Sequence, residues 1–157
     1  MGTRRQSREA AVQILYQRDI NPHEVLDDAV RRFWAEQDYP DDVRGFAEKL
    51  ARGALEKREA VDEQIRRVAE NWDIDRIAAV DRNVLRLAIY EMMFCEDIPP
   101  VVSINEAVDI AKKFSTKDSG KFVNGILDRI RKELPRPART AGPSTPESGG
   151  SAPTPAS

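Results

Sequence analysis

This 157-residue chain holds a single cysteine, Cys95, and a single histidine, His23. The first excludes a disulfide framework, and the second leaves too few ligands for a zinc site. No apolar run is long enough to cross a bilayer. The most apolar stretch, residues 81–94, is interrupted by Arg82, Arg86 and Glu91. No basic-then-apolar leader opens the chain, and Gln6 stands where a myristoylation signal wants serine or threonine. A cytoplasmic protein without a membrane role is the expectation. Also missing are a glycine-rich phosphate loop, a nucleophile elbow, a metal-ligand spacing and any alternating pattern that reads as a strand. Adjacent acids such as Asp27-Asp28 and Asp41-Asp42 diverge on a helix, so they suit caps and solvated faces rather than paired acid–base work. Cys95 has no histidine beside it in sequence and reads as a small buried hydrophobe. Neither an enzyme nor a cofactor is expected.

Charged residues make up 33% of the chain and hydrophobic ones 40%, which suits one globular domain over residues 1–134. Residues 135–157 are mostly Pro, Ser, Gly, Thr and Ala with no large apolar side chain; they read as a disordered tail. The net charge of −2 is unevenly spread: residues 1–18 carry +3 and residues 19–134 carry −6. One surface therefore suits an anion and another a basic partner.

Along residues 81–94 the apolar side chains fall on nearly every side of a helix. Such a helix has to be buried, with the others wrapped round it. Glu91 then needs a partner, and Arg82 and Arg86 form a narrow polar strip near Asp75. The first helix follows a cap at Thr3 and runs to Gln17 or Asp19 on the stripe Ala10, Ala11, Ile14 and Leu15. Val12 and Tyr16 face nearly the other way. Asn21-Pro22-x-Glu24 reads as the start of a second helix, with Val25, Leu26, Ala29, Val30, Phe33 and Trp34 on its stripe. A third follows Pro40-Asp41-Asp42 with Val43, Phe46, Ala47, Leu50, Ala51 and Ala54. A fourth carries Val61, Ile65, Val68 and Trp72, and its boundary with the third near Glu56 stays open. Asp73-Ile74-Asp75 is a turn. Residues 95–100 are a loop ended by two prolines, and Ser103-x-x-Glu106 reads as a capping box ahead of Ala107, Ile110, Ala111 and Phe114. The last helix spans about 118–134 on Val123, Ile126, Leu127, Ile130 and Leu134. The chain is thus all-α, with six to seven helices.

On that last helix Lys117, Lys121 and Asn124 face away from the apolar stripe, and Phe122 lies at its edge near Asp118. Cations that neutralise phosphates beside a ring on which a base can stack are what single-stranded RNA recognition uses. The plainer alternative is that Phe122 packs on a neighbouring helix and the lysines are merely solvated. Arg4, Arg5 and Arg8 repeat the theme, against the alternative of a frayed basic terminus. Three phosphate contacts on a single strand give a salt slope of about −2, so a fourfold rise in salt weakens binding roughly 16-fold. Alone, the chain would bind RNA weakly, and a second RNA-binding protein would help through effective concentration.

Three segments together resemble the NusB transcription antitermination factors. The first is Arg4-Arg5-x-x-Arg8-Glu9-x-Ala11-Val12-Gln13-x-Leu15-Tyr16, and the second is residues 81–91, DRNVLRLAIYE. The third joins Ile98-Pro99-Pro100-Val101-Val102-x-Ile104-Asn105-Glu106-Ala107 to Ala111-Lys112-Lys113-Phe114 and Asp118-Ser119-x-Lys121-Phe122-Val123-Asn124-Gly125. The resemblance covers about residues 4–132. It implies two small helical bundles around the central helix. It also implies binding to the boxA element of nascent ribosomal RNA transcripts, together with the small-subunit ribosomal protein that acts as NusE, in a complex with RNA polymerase and other Nus factors. By position, Arg4, Arg5 and Arg8, with Asp118, Lys121 and Phe122, match the family's RNA-facing residues; Tyr16, Asp75 and Asp81 match its partner-facing ones. Gly120 stands where many relatives place a bulkier polar residue such as histidine. Asp75 and Asp81 also have a plainer role as helix-start acids. Two other readings are an RNA-targeting module working with an RNA methyltransferase on a separate chain, and a protein–protein adaptor without RNA binding.

Overall fold

Thr3 starts the first helix, α1 (Arg4–Ile20), with a reciprocal cap: its hydroxyl accepts from the Gln6 N–H, and the Gln6 side chain accepts from the Thr3 N–H. The structure, a computed structural model, describes residues 2–69 and 73–134. The six further helices are α2 (Leu26–Glu36), α3 (Arg44–Glu56), α4 (Arg58–Val68), α5 (Ala79–Phe94), α6 (Pro100–Phe114) and α7 (Lys117–Glu133). Short 3-10 turns at Asp41–Val43 and Ile74–Arg76 complete the described elements, and no strand occurs among the described residues. Trp72 and the segment from Pro135 onward, read above as helix stripe and disordered tail, lie outside the described residues. No described helix is long and apolar enough to cross a membrane.

α5 is the buried rod that its all-round apolar pattern requires. It packs against α1, α3, α4, α6 and α7, and Leu85, Ile89 and Met92 are fully buried in one continuous core. Around it α1 packs with α2 and α3, and α7 packs with α4 and α6. At Gly53 of α3 a Cβ would fall 2.1 Å from the Tyr90 hydroxyl of α5, so only glycine lets the tyrosine lie there.

Three local expectations are corrected. α1 is not a one-stripe helix: residues 7–12 are buried without a break, Val12 included, and Tyr16 is half-buried. The reason is that α2, α3 and α5 contact α1 together. Asn21-Pro22 does not open α2. The Asn21 N–H closes α1 on Gln17, and the Glu24 N–H turns back to the Asn21 carbonyl. Glu24 is occupied elsewhere, its carboxylate by Arg32 and its carbonyl by Arg18, so α2 waits until Leu26. α6 likewise starts at Pro100, three residues before the supposed capping box. Proline at the first helical position has no N–H to lose and a preset φ. The hydroxyl of Ser103 instead bonds Glu91 at 2.8 Å, and Glu106 is taken by Arg5. α3 and α4 are separated by Lys57, whose ψ of 18° leaves the helical range.

Candidate nucleic-acid interface

The polar strip of α5 is satisfied from three other helices. Glu91, 1% exposed, receives a two-pronged bond from Arg8 of α1 (2.8 and 2.9 Å) and a third from Ser103. Arg86 forks onto Asp62 of α4 at 2.9 and 3.2 Å, and Arg82 pairs with Asp19 at 2.8 Å. Asp75 contributes only its backbone carbonyl to Arg82. Cys95 is buried, which pushes its thiol pKa upward.

These bonds sort the three N-terminal arginines. Arg4 is exposed and lies over Phe46 of α3, its guanidinium carbon 3.8 Å from the ring centre. Arg5 is half-exposed but doubly paired, with Glu106 at 2.5 and 3.0 Å and with Asp109 at 2.9 Å. Arg8 is 5% exposed and committed to Glu91, so it is not presented to a phosphate as expected. It had to go inside because the carboxylate it meets is itself in the core. Arg4, Arg5 and Phe46 share the wall of an open cleft of about 540 Å³ with Ile98, Pro99 and Val102.

α7 carries the second basic row. Thr116 caps it, its hydroxyl accepting from the Ser119 N–H at 3.1 Å. Lys117, Asp118, Lys121 and Asn124 are exposed, as their spacing predicts. Phe122 is half-buried and packs against the core. α6 ties the two rows together. Its Glu106 and Asp109 hold Arg5, its Lys113 reaches buried Glu9 of α1 at 3.1 Å, and α6 packs along α7. Sequence reasoning placed Phe46 on a helix stripe and Glu106 in a capping box, and connected neither them nor Asp109 to the arginines. Only their distance in space, not in sequence, marks them.

Of the residues expected to face a partner, Tyr16 is half-buried and Asp75 is exposed. Asp81 differs from expectation: it is 8% exposed, one carboxylate oxygen accepting from Ser119 of α7 at 3.1 Å and the other lacking a hydrogen bond. The α7 N-terminal turn covers it. Burial raises the Asp81 pKa, and the Ser119 bond only partly opposes this. The folded chain therefore keeps the Asp81 proton to higher pH than the unfolded chain does. The corresponding stability is complete below the ordinary value of 3.8 and is lost as pH rises through the raised one. In urea titrations from pH 3.5 to 7, the stability difference between wild type and Asp81→Asn should shift in favour of the variant as pH rises. A difference that stays flat overturns this.

The NusB family model matches residues 5–132. The transcription antitermination protein NusB of Anaeromyxobacter dehalogenans strain 2CP-1 is 48% identical over 137 residues, covering 87% of this chain and 94% of that one. NusB of Methylacidiphilum infernorum is 45% identical over 138 residues, covering 88% of this chain and 96% of that one, and both relatives are named for transcription antitermination and not for a catalysed reaction. Among solved structures, T. maritima NusB superposes with a TM-score of 0.75 at 43% identity over 85% of this chain and 94% of its own. The crystal structure of antitermination factors NusB and NusE in complex with dsRNA matches with a TM-score of 0.74, 31% identity and 83% and 97% coverage. With the family model and the relatives spanning the whole helical body, the chain belongs to the NusB family.

Proposed function

We propose that this chain is a transcription antitermination factor. It binds boxA RNA of nascent ribosomal RNA transcripts together with the ribosomal protein that acts as NusE, in a cytoplasmic complex with RNA polymerase and other Nus factors. The observation that carries this reading is the exposed row Lys117, Lys121 and Asn124 with half-buried Phe122 on α7, joined through α6 to Arg4 on its Phe46 platform. Arg4, Lys117 and Lys121 neutralise phosphates, and Phe122 stacks on a base. Asn124 offers both donor and acceptor to base edges, and Asp118 accepts from an exocyclic amine or a 2′-hydroxyl. Arg5 reaches a phosphate only by exchanging Glu106 and Asp109 for it. Arg8 serves by holding α1 on α5. The acidic body, with Tyr16 as an aromatic anchor and Asp75 as an exposed charge, faces the basic ribosomal protein. Asp81, being buried, serves by bonding Ser119 at the start of α7.

Titrating boxA RNA with and without the ribosomal protein tests this. Weak, salt-dependent binding alone and much tighter binding together are expected. Equal, negligible binding in both cases overturns it. Arg4→Ala/Arg5→Ala should flatten the salt slope by about 0.7 where Arg4 alone meets a phosphate, and by about 1.4 where Arg5 does too. An unchanged slope removes the N-terminal contact.

A further inference from the structure

Lys117, Lys121 and Asn124 follow one another on α7 at four- and three-residue steps. Gly120, buried and without a side chain, lies beside this row on the flank toward α6. The neighbouring helix occupies the space. A Cβ built on Gly120 would lie 2.8 Å from Cγ, 3.0 Å from Cε and 3.4 Å from Cδ of Lys112 on α6. The lysine stem therefore runs across the helix where a side chain at position 120 would stand. Lys112 is exposed, and it has no ion-pair partner among the described residues. Its neighbour Lys113 is bound to Glu9 instead.

We propose that Lys112, seated on Gly120, is a further phosphate-binding cation of the α7 face, so that glycine at 120 trades its own side chain for an ammonium delivered from α6. This rests on the RNA-binding reading above and adds a residue to that site. The stem gains apolar contact along the bare helix while its charged end stays in water. Ordering by the seat lowers the rotamer entropy that binding would otherwise remove. Three lysines without acid partners among the described residues, Lys112, Lys117 and Lys121, then stand on adjoining turns of two packed helices. Their mutual repulsion is relieved by a polyanion, and a phosphodiester strand supplies charges at repeating intervals.

The test is a titration of the full chain with single-stranded boxA RNA at several salt concentrations. Absence of wild-type binding would count against the RNA-binding reading itself. Given wild-type binding, Lys112→Ala should flatten the slope by about 0.7 and weaken binding about fourfold at 0.15 M salt. Lys112→Arg should restore it. Gly120→Ala, which suits a helix better but pushes the stem aside, should weaken binding as well, and combining it with Lys112→Ala should add little. Lys57→Ala, an equal charge change at the α3–α4 break, controls for net charge. Wild-type slope and affinity in Lys112→Ala, or a loss no larger than in Lys57→Ala, overturns the proposal.

Discussion

Arg8→Met should lower the unfolding free energy by about 3–5 kcal/mol, because it strands a carboxylate in the core. Glu91 is 1% exposed, and without Arg8 it keeps only the Ser103 hydroxyl at 2.8 Å. The two residues lie 83 positions apart, so their bond also fixes how α1 sits on α5. The loss measures an unpaired buried charge, not the worth of the pair. Arg8→Met/Glu91→Leu should therefore recover most of it, since a buried pair exchanged for apolar groups of similar volume is often neutral. Urea unfolding of wild type, both single variants and the double variant gives the cycle. A single Arg8→Met loss below about 1 kcal/mol, or a double variant no better than that single, contradicts the argument. The double variant also separates two roles for Arg8. If it only holds α1 in place, RNA binding by the double variant keeps the wild-type salt slope.

Arg86→Met should cost about 3 kcal/mol for the same reason in a second network. Its guanidinium is shared between Asp62 of α4 and Asp19 at the end of α1, the latter at 3.3 Å. After substitution Asp62 keeps only Arg58 at 3.4 Å, and Asp19 keeps Arg82 and Asn83. The pH dependence identifies the cause. Burial alone would raise the Asp19 pKa, but bonds from Arg82 and Asn83 and the charges of Arg86 and Arg82 lower it overall. A lowered carboxyl pKa contributes stability that is present above 3.8 and lost as pH falls through the folded value. Arg86→Met should shrink that acid-side loss. Unfolding midpoints followed from pH 5 down to pH 2 in both proteins check it, and an unaltered profile counts against the Asp19 assignment.

The same contrast separates the elements that were readable in order from those that were not. α5 was readable because a helix packed from several directions carries apolar residues on nearly every side, as residues 81–94 do. The Thr3 cap was readable because cap and acceptor are three residues apart. Asn21, Ser103 and Glu106 misled because their residue types suit caps, while here they close a turn, hold Glu91 and hold Arg5. Nothing local distinguishes those uses. Lys117, Lys121 and Asn124 were readable as an exposed row, but Arg8 and Asp81 were not readable as buried, since each is covered by a helix far away in sequence.

The order of residues by itself therefore determined which segments coil, which faces turn inward and where cations and acids collect, because apolar periodicity and net charge are summed over neighbours along the chain. Tertiary structure alone decided which charges remain available. A guanidinium is free for a phosphate or spent on a carboxylate according to what packing brings within about 3 Å, as Arg4, Arg5 and Arg8 show within a single helix turn.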